Sequence, residues 1–513
     1  MAAHIKKIIL LLFISLILIL FSPSEAKAQG LPRVHIPYFS NSVDLGRSAI
    51  FWYGKVAPVD NYSDVRIGYT DSNLVVNVSV FDKILTYNPE PLSGDLTNWD
   101  AVSVALKTDT GKLYKFTGQL NWWESRDNFQ KAYAYNSGAW QEQPISFTTQ
   151  TTWRGDAPNN SADDRCWQIT FTIPFTSLGY SAAPLPSAEW RMHAVTYDRD
   201  EDTMGPSYTW PEASLENSFD SWGYASFSIP TIGTITATNL QTALLRNGLY
   251  NLEALDADVG GHFNCGEDYN PDFFNGWGNA NYSGFDQMNI QNQIDVADWP
   301  CYSKYYITFP LSSIPQGKVI TGAKFTLHMF GNSGASGEAK SSFVQLGMAD
   351  TDFIETSVTW NNAPHLLENI SYTLVDPITA FPGWPGVAYN FDATSAVSRA
   401  YKSGSSLTLV LYDPDTDYHS GKYFTTSDAG EWDAAGRPAL EITYGDPVSV
   451  SPTPDLLSAD ANGDRKINAL DFGIWFKHYL NSTVNGTTDG DFNNDQHVDG
   501  LDYQMWLNSY GLY

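Results

Sequence analysis

Asp460-Ala-Asn462-Gly-Asp464-Arg-Lys466-Ile-Asn468-Ala-Leu-Asp471 is followed, 31 positions on, by Asp491-Phe-Asn493-Asn-Asp495-Gln-His497-Val-Asp499-Gly-Leu-Asp502. Each copy puts oxygen side chains at loop positions 1, 3, 5, 9 and 12, and position 7 (Lys466 or His497) adds a backbone carbonyl. A hard cation such as Ca²⁺ takes roughly six to eight oxygens, and one tight loop supplies them only if alternate residues turn inward. Each loop runs into a helix-like segment. Asp471-Phe-Gly-Ile-Trp475-Phe-Lys-His-Tyr479 matches Asp502-Tyr-Gln-Met-Trp506-Leu-Asn-Ser-Tyr510 in register, with Asp, Trp and Tyr shared. One such loop fits an acidic solvated turn equally well. Two in register with matching helices point to a duplicated loop–helix unit holding two Ca²⁺ ions.

The ligand plan is that of an EF-hand, and the duplicated unit resembles a type I dockerin, covering 459–513. The resemblance implies a cohesin-like protein partner, read through loop positions 10 and 11. Those are Ala469-Leu470 and Gly500-Leu501. A small residue followed by Leu in both copies implies two near-equivalent contact faces, unless Leu470 and Leu501 pack the module's own core. Position 6, where EF-type loops usually place Gly, is Arg465 and Gln496. A left-handed backbone there costs a side chain ~1 kcal/mol. Position 12 is Asp in both copies, as in dockerins more than in calmodulin-type EF-hands.

At the other end, Lys6-Lys7, an apolar run from Ile8 to Phe21, and Ala26-Lys27-Ala28 form the n-region, h-region and A-x-A site of a signal peptide over 1–28. The run is short of the roughly 20 residues that a spanning helix needs. The expectation is an exported chain with no membrane span after cleavage. A formal charge of −28 argues against nucleic acid and anionic membrane partners. Three cysteines are few for an exported chain: Cys265 and Cys301 are placed to pair, leaving Cys166. The 17 Trp, 29 Tyr and 27 Phe suit long sheets and also sugar binding, because pyranose C–H faces stack on aromatic planes.

From 31 to 230 the chain reads as alternating strands: 74–80, 100–106, 167–173 and 190–195, punctuated by Pro, Gly, Asn and Asp. This is a β-sandwich pattern. The order "LVVNVSVFD", "NWDAVSVAL", "CWQITFTIPFTSLG", "EWRMHAVTYDRDE", "YTWPEASLENSFDSWGYASFS" resembles the family 9 carbohydrate-binding modules, with Pro174-Phe175, Leu178-Gly179 and Trp190-Arg191 as the recurring marks. The resemblance implies two loop aromatics clamping a sugar. By position these are Trp99 and Trp210, with Trp122-Trp123 as an alternative platform. Asp100, Arg126 and Arg191 would hydrogen-bond sugar hydroxyls. The tryptophans can equally be core residues, and Arg191 equally a structural ion-pair partner.

From 231 to 445 a second β-rich unit follows, with strands at 305–310, 319–329, 407–412 and 438–444. "ETSVTWNNAP", "YNFDATSAVSRAY" and "KYFTTSDAGEWDAAGRPALEITY" resemble the disaggregatase-related, DNRLRE-type domains, which are similar to carbohydrate-binding family 96. The resemblance implies a second jelly-roll-like sandwich without a transferable ligand motif, so Trp360, Asp392 and Arg437 stand as structural as readily as functional. The loop from 260 to 300 reads either as a ligand loop tied by Cys265–Cys301 or as an insertion. A Pro/Ser/Thr linker over 446–458 leads to the C-terminal unit.

The expected fold class is therefore mainly β, with two successive sandwiches and a small α-helical paired EF-hand-like dockerin. The chain has no Gly-x-Ser-x-Gly elbow, His-Glu-x-x-His pair or Walker loop. A glycosidase needs two carboxylates, and the acid-rich stretch at 196–202 is where a pair, or a Ca²⁺ site, would be sought. Three readings compete: a non-catalytic polysaccharide-binding protein docked to a cohesin-like partner, a hydrolase or lyase on a sandwich, and a structural surface component. The first accounts for most of the chain.

Overall fold

The computed structural model describes residues 30–91, 96–186, 188–228, 235–261, 273–296, 299–448 and 459–510. The signal segment and Cys265 lie outside them; Cys301 is disulfide-bonded and Cys166 is buried in a strand. The chain divides into two compact units, one ending at Asp446 and one beginning at Pro447.

In the first unit, Ala49–Ala57, Asp60–Tyr69, Asn73–Phe81, Cys166–Pro174 and Thr148–Arg154 form a five-stranded antiparallel sheet in that order. A second sheet faces it: Gly223–Ser226, Glu189–Tyr197, Ala101–Lys107, Leu113–Gln119, Gln130–Asn136 and Ala139–Glu142. Strands pleat with period two, so the paired Val78 and Ile169, and Val76 and Phe171, turn the same way, toward Val104, Phe116 and Met192. The four expected strands are present, three of them slightly extended and the one expected at 100–106 shifted by one residue. These two sheets form a β-sandwich.

The rest of this unit is a second pair of sheets. Leu366–Val375, Ser342–Ala349, Leu407–Tyr412, Trp299–Phe309 and Leu255–Gly260 make one. Val387–Asp392, Val319–Asn332, Lys422–Thr425 and Ala439–Pro447 make the other. Gln287–Val296 belongs to both, pairing with Lys422–Thr425 and then with Trp299–Phe309. Phe325, Leu327, Met329, Leu407, Leu409 and Leu411 fill the space between. A helix over Thr394–Ser403, capped by Gly404 at φ 69°, packs Ala396, Val397 and Ala400 against this core.

The two sandwiches are packed into one another. On Asp60–Tyr69, alternation turns Tyr62, Asp64 and Arg66 away from the first core, where an isolated sandwich would meet water. Here all three are buried under the second sandwich. Tyr62, Tyr412 and Asn292 donate to Asp64 (2.7, 2.7 and 3.3 Å), and Arg66 Nε donates to the Pro414 carbonyl at 2.7 Å. Three amide side chains from the second sandwich act as surrogate strand partners. Gln345 bonds both the N–H and C=O of Ile50, Asn361 those of Val56, and Asn369 those of His35. An edge strand left open offers a template for other chains; here its polar groups are covered.

At the seam sits Lys304, fully enclosed. Its ammonium lies 3.6, 4.1, 4.7 and 4.8 Å from the ring centres of Trp360, Trp52, Tyr62 and Tyr412, and it donates to the Tyr62 hydroxyl. Burial drives its pKa well down; the Asp64 charge acts the other way. The ring faces, which carry negative quadrupole density, also favour the cation.

The C-terminal unit has helices Ala469–His478 and Gly500–Ser509 around a small core of Ile467, Trp475, Phe492, Val498 and Trp506. Among the described residues no helix is long and apolar enough to cross a membrane.

Candidate functional site

In the C-terminal unit the two loop–helix copies clasp each other reciprocally. Trp475 Nε1 donates to the Asp499 carbonyl of the other loop at 2.9 Å, and Trp506 Nε1 to the Asn468 carbonyl at 3.0 Å. Both helices start with a capping box, Asn468 with Asp471 and Asp499 with Asp502, satisfying otherwise orphaned N–H groups. Position 12 is fully buried in both copies.

The remaining oxygens turn inward. Asp460 accepts from the N–H groups of Gly463, Asp464 and Arg465, and Asp491 from Asp495 and Gln496. Asn462 and Asn493 accept at position 5, and Asp464 and Asp495 accept from Lys466 and His497. Asp471 and Asp502 close the loops onto Asn462 and Asn493. Arg465 and Gln496 adopt φ 64° and 70°, the left-handed turn that a glycine would take without strain. The donor set is all oxygen, with three carboxylates in the first loop and four in the second, which suits Ca²⁺. Ala469, Leu470, Gly500 and Leu501 all lie exposed, the leucines at 64% and 62%, outside the module's core.

The candidate sugar residues separate. Trp210 is buried, with its ring 4.4 Å from Phe51. Trp99 is capped by the Arg199 guanidinium, 4.6 Å above its ring. Asp100 is buried, accepting from the N–H groups of Thr86 and Arg199. Arg126 spends its donors on Thr149, Gln119, Asn121 and Phe129. Arg191 stacks on Tyr224, 3.6 Å from the ring centre, and donates to its hydroxyl and to the Trp222 carbonyl. Trp210, Asp100, Arg126 and Arg191 are thus each held by the protein's own groups, and Trp99 has one ring face covered. Trp122 differs. It is 46% exposed, its neighbour Trp123 is 73% exposed, and their rings lie 4.4 Å apart with Trp153 edge-on at 5.6 Å.

The acid-rich stretch at 196–202 meets the end of another strand. Carboxylate oxygens of Asp82, Asp198 and Asp200 come within 4.8 Å of one another. Asp82 Oδ2 and Asp198 Oδ1 are buried without a hydrogen-bond partner. Burial, then the charges of Asp100, Asp198 and Asp200, pushes Asp82 well above the carboxylate range; burial and Asp200 push Asp198 up to about 7. Such a set could hold a divalent cation. Asp82 and Asp198 are too buried to touch a sugar chain, so this is no glycosidase pair. Asp82 directly follows the strand Asn73–Phe81, and nothing local in the sequence pairs it with the later acids.

Two family models match. Residues 275–444 match Carbohydrate-binding module family 96, and residues 458–509 match the Dockerin type I domain. A carbohydrate-binding-type module and a dockerin-type module therefore share this chain. No curated protein matches it. Among solved structures, a candidate carbohydrate-binding protein of Bacteroides uniformis ATCC 8492 superposes with a TM-score of 0.31 at 10% identity, over 38% of this chain and 99% of that one. A family 9 carbohydrate-binding module of Caldicellulosiruptor kristjanssonii in complex with cellotriose gives 0.26 at 14% identity, over 40% and 99%. At those values neither likeness bears on what this chain binds.

Proposed function

We propose that this chain is an exported, non-catalytic polysaccharide-binding protein, tethered through its C-terminal dockerin to a cohesin-like partner. The reading takes both sandwiches as jelly-roll-like and the C-terminal loops as a pair of EF-hand-like Ca²⁺ sites. Asp460, Asn462, Asp464, Asn468 and Asp471 would hold one ion, with the Lys466 carbonyl. Asp491, Asn493, Asp495, Asp499 and Asp502 would hold the other, with the His497 carbonyl. Bound Ca²⁺ would supply the charge that draws each set of oxygens together and fixes the helix that follows.

One observation carries the docking half: the reciprocal clasp of Trp475 and Trp506 leaves an exposed Leu at the same place in each copy. Two equivalent apolar faces on a small acidic module fit a protein partner bound in either of two orientations. The glycan half is supported by the family 96 match and, in the first sandwich, by the exposed Trp122–Trp123 pair. A sugar ring can stack there while the half-buried Glu124 carboxylate, which already accepts from the Tyr87 hydroxyl and the Trp122 N–H, takes a hydroxyl.

The test uses immobilised type I cohesin domains with Ca²⁺ present. The wild-type chain is retained and EDTA releases it. Leu470→Asp with Leu501→Asp abolishes retention while Ca²⁺ titration still reports two ions. Undiminished retention of that variant refutes the docking face.

A further inference from the structure

The second sandwich carries an exposed aromatic cluster of its own. Along Val319–Asn332, Phe325, Leu327 and Met329 point into the core, so Thr326, His328 and Phe330 point outward. Tyr423 stands opposite Gly331, with its ring 6.4 Å from Phe330. The connection leading to Val387–Asp392 lays Trp384 5.4 Å from Phe330. Gly386 makes that approach possible: its φ is +95°, and a Cβ there would stand 2.6 Å from the Met329 carbonyl oxygen. Phe381 and Trp432 then meet Trp384 edge to face, at 5.2 and 4.6 Å. Trp432 projects from a turn anchored by the Thr425 hydroxyl donating to Asp433 at 3.1 Å. Trp384 and Trp432 remain 41% and 53% exposed.

Scattered exposed rings are ordinary; a contiguous cluster anchored on a sheet face marks a binding surface. The two indoles stand at 74° to one another, a floor and a wall. We propose that this corner is a glycan-binding platform of the second sandwich, and that it takes uncharged pyranose chains. One indole face receives the C–H side of a sugar ring while the other limits its slide. Hydroxyl partners stand on the same sheet face, in His328 and in the Thr326–Asn390 pair, bonded at 2.8 Å. The chain's charge of −28 disfavours polyuronates and other polyanions. All of these residues fall inside the segment that matches a carbohydrate-binding family. The inference rests on the reading of the chain as carbohydrate-binding, and adds a site distinct from Trp122–Trp123.

Affinity electrophoresis of the whole chain without residues 1–28 tests it. One set of gels carries hydroxyethylcellulose, xyloglucan, galactomannan or arabinoxylan, and another carries alginate or polygalacturonate. Trp384→Ala with Trp432→Ala is compared with Trp122→Ala with Trp123→Ala, and Trp432→Tyr keeps a ring in place should the alanine pair fold poorly. The expected result is retardation in at least one neutral gel, weakened about tenfold or more by the Trp384/Trp432 pair and largely kept by Trp432→Tyr. Neutral-gel retardation that the Trp384/Trp432 pair leaves unchanged overturns the platform alone, whether or not the Trp122/Trp123 pair abolishes it. Retardation confined to the acidic gels overturns the assignment to uncharged chains. Retardation in no gel overturns the carbohydrate-binding reading itself, and the platform with it.

Discussion

Replacing Lys304 with Met tests how the two sandwiches are held together. The substitution keeps the length and apolar bulk of the stem and removes the charge. In the folded chain that charge faces four rings, two from each sandwich, at 3.6–4.8 Å, and lies beside Tyr62, which donates to Asp64. A desolvated cation–π contact contributes about 2 kcal/mol or more. Removing one member of a buried charge network leaves the other uncompensated, at a cost of about 3–5 kcal/mol. Against this stands the burial of the ammonium itself, which Lys304→Met relieves. The net expectation is a loss of about 2–4 kcal/mol, concentrated at the seam. Urea unfolding followed by tryptophan fluorescence and far-UV circular dichroism measures it. The wild-type sandwiches unfold in one transition, whereas Lys304→Met separates them into two, the earlier at lower urea. Asp64→Asn added to Lys304→Met restores part of the loss, since it removes the buried charge that Lys304 offset, while Tyr62, Tyr412 and Asn292 stay in place around the side chain. A Lys304→Met loss below about 0.5 kcal/mol, with one transition retained, would refute the role given to the cage.

Two further perturbations read single residues. Burial, then the charge of Asp415, pushes the Asp413 carboxyl up to about 7, so the folded chain keeps a proton that the unfolded chain releases near pH 4. Stability from this site is present in acid and lost as pH rises toward 7; Asp413→Asn flattens that slope and adds on the order of 1–3 kcal/mol near pH 8, read from urea midpoints. An unchanged slope contradicts this. Arg465→Gly with Gln496→Gly relieves two left-handed side-chain positions, each costing ~1 kcal/mol, and returns part of the gain as unfolded-chain entropy. The expected net is a few tenths of a kcal/mol per loop in the Ca²⁺-loaded module, seen as a raised thermal midpoint, and a lowered midpoint would show that those side chains do other work.

The elements that could be read in advance are those whose information is local. Alternation alone locates Asn73–Phe81 and Cys166–Pro174, and the repeat at 460 and 491 locates both loops, both helices and the left-handed turn at position 6. The helix Thr394–Ser403 escaped notice because its apolar face is mostly alanine and valine between strands. The sugar residues depended on long-range packing. Pro211 and Glu212 made Trp210 look like a loop residue, yet Phe51, far off in sequence, receives its ring. Arg126 and Arg191 are polar enough for a sugar site, but backbone carbonyls and Tyr224 claim their donors. Asp64, Arg66 and Lys304 carry no local sign of burial; only the docking of one sandwich on the other encloses them. The signal for Trp384 and Trp432 was present as tryptophan between Gly, Pro and Asp in two connections, but nothing in the sequence brings those connections together.

The most direct measurement takes the Ca²⁺-loaded chain without residues 1–28 over a broad polysaccharide panel. Binding is measured alongside release of reducing ends and unsaturated products on the same panel. The account predicts binding to at least one polysaccharide with no product from any. Product release from a bound polysaccharide, or no binding across the panel, would contradict it.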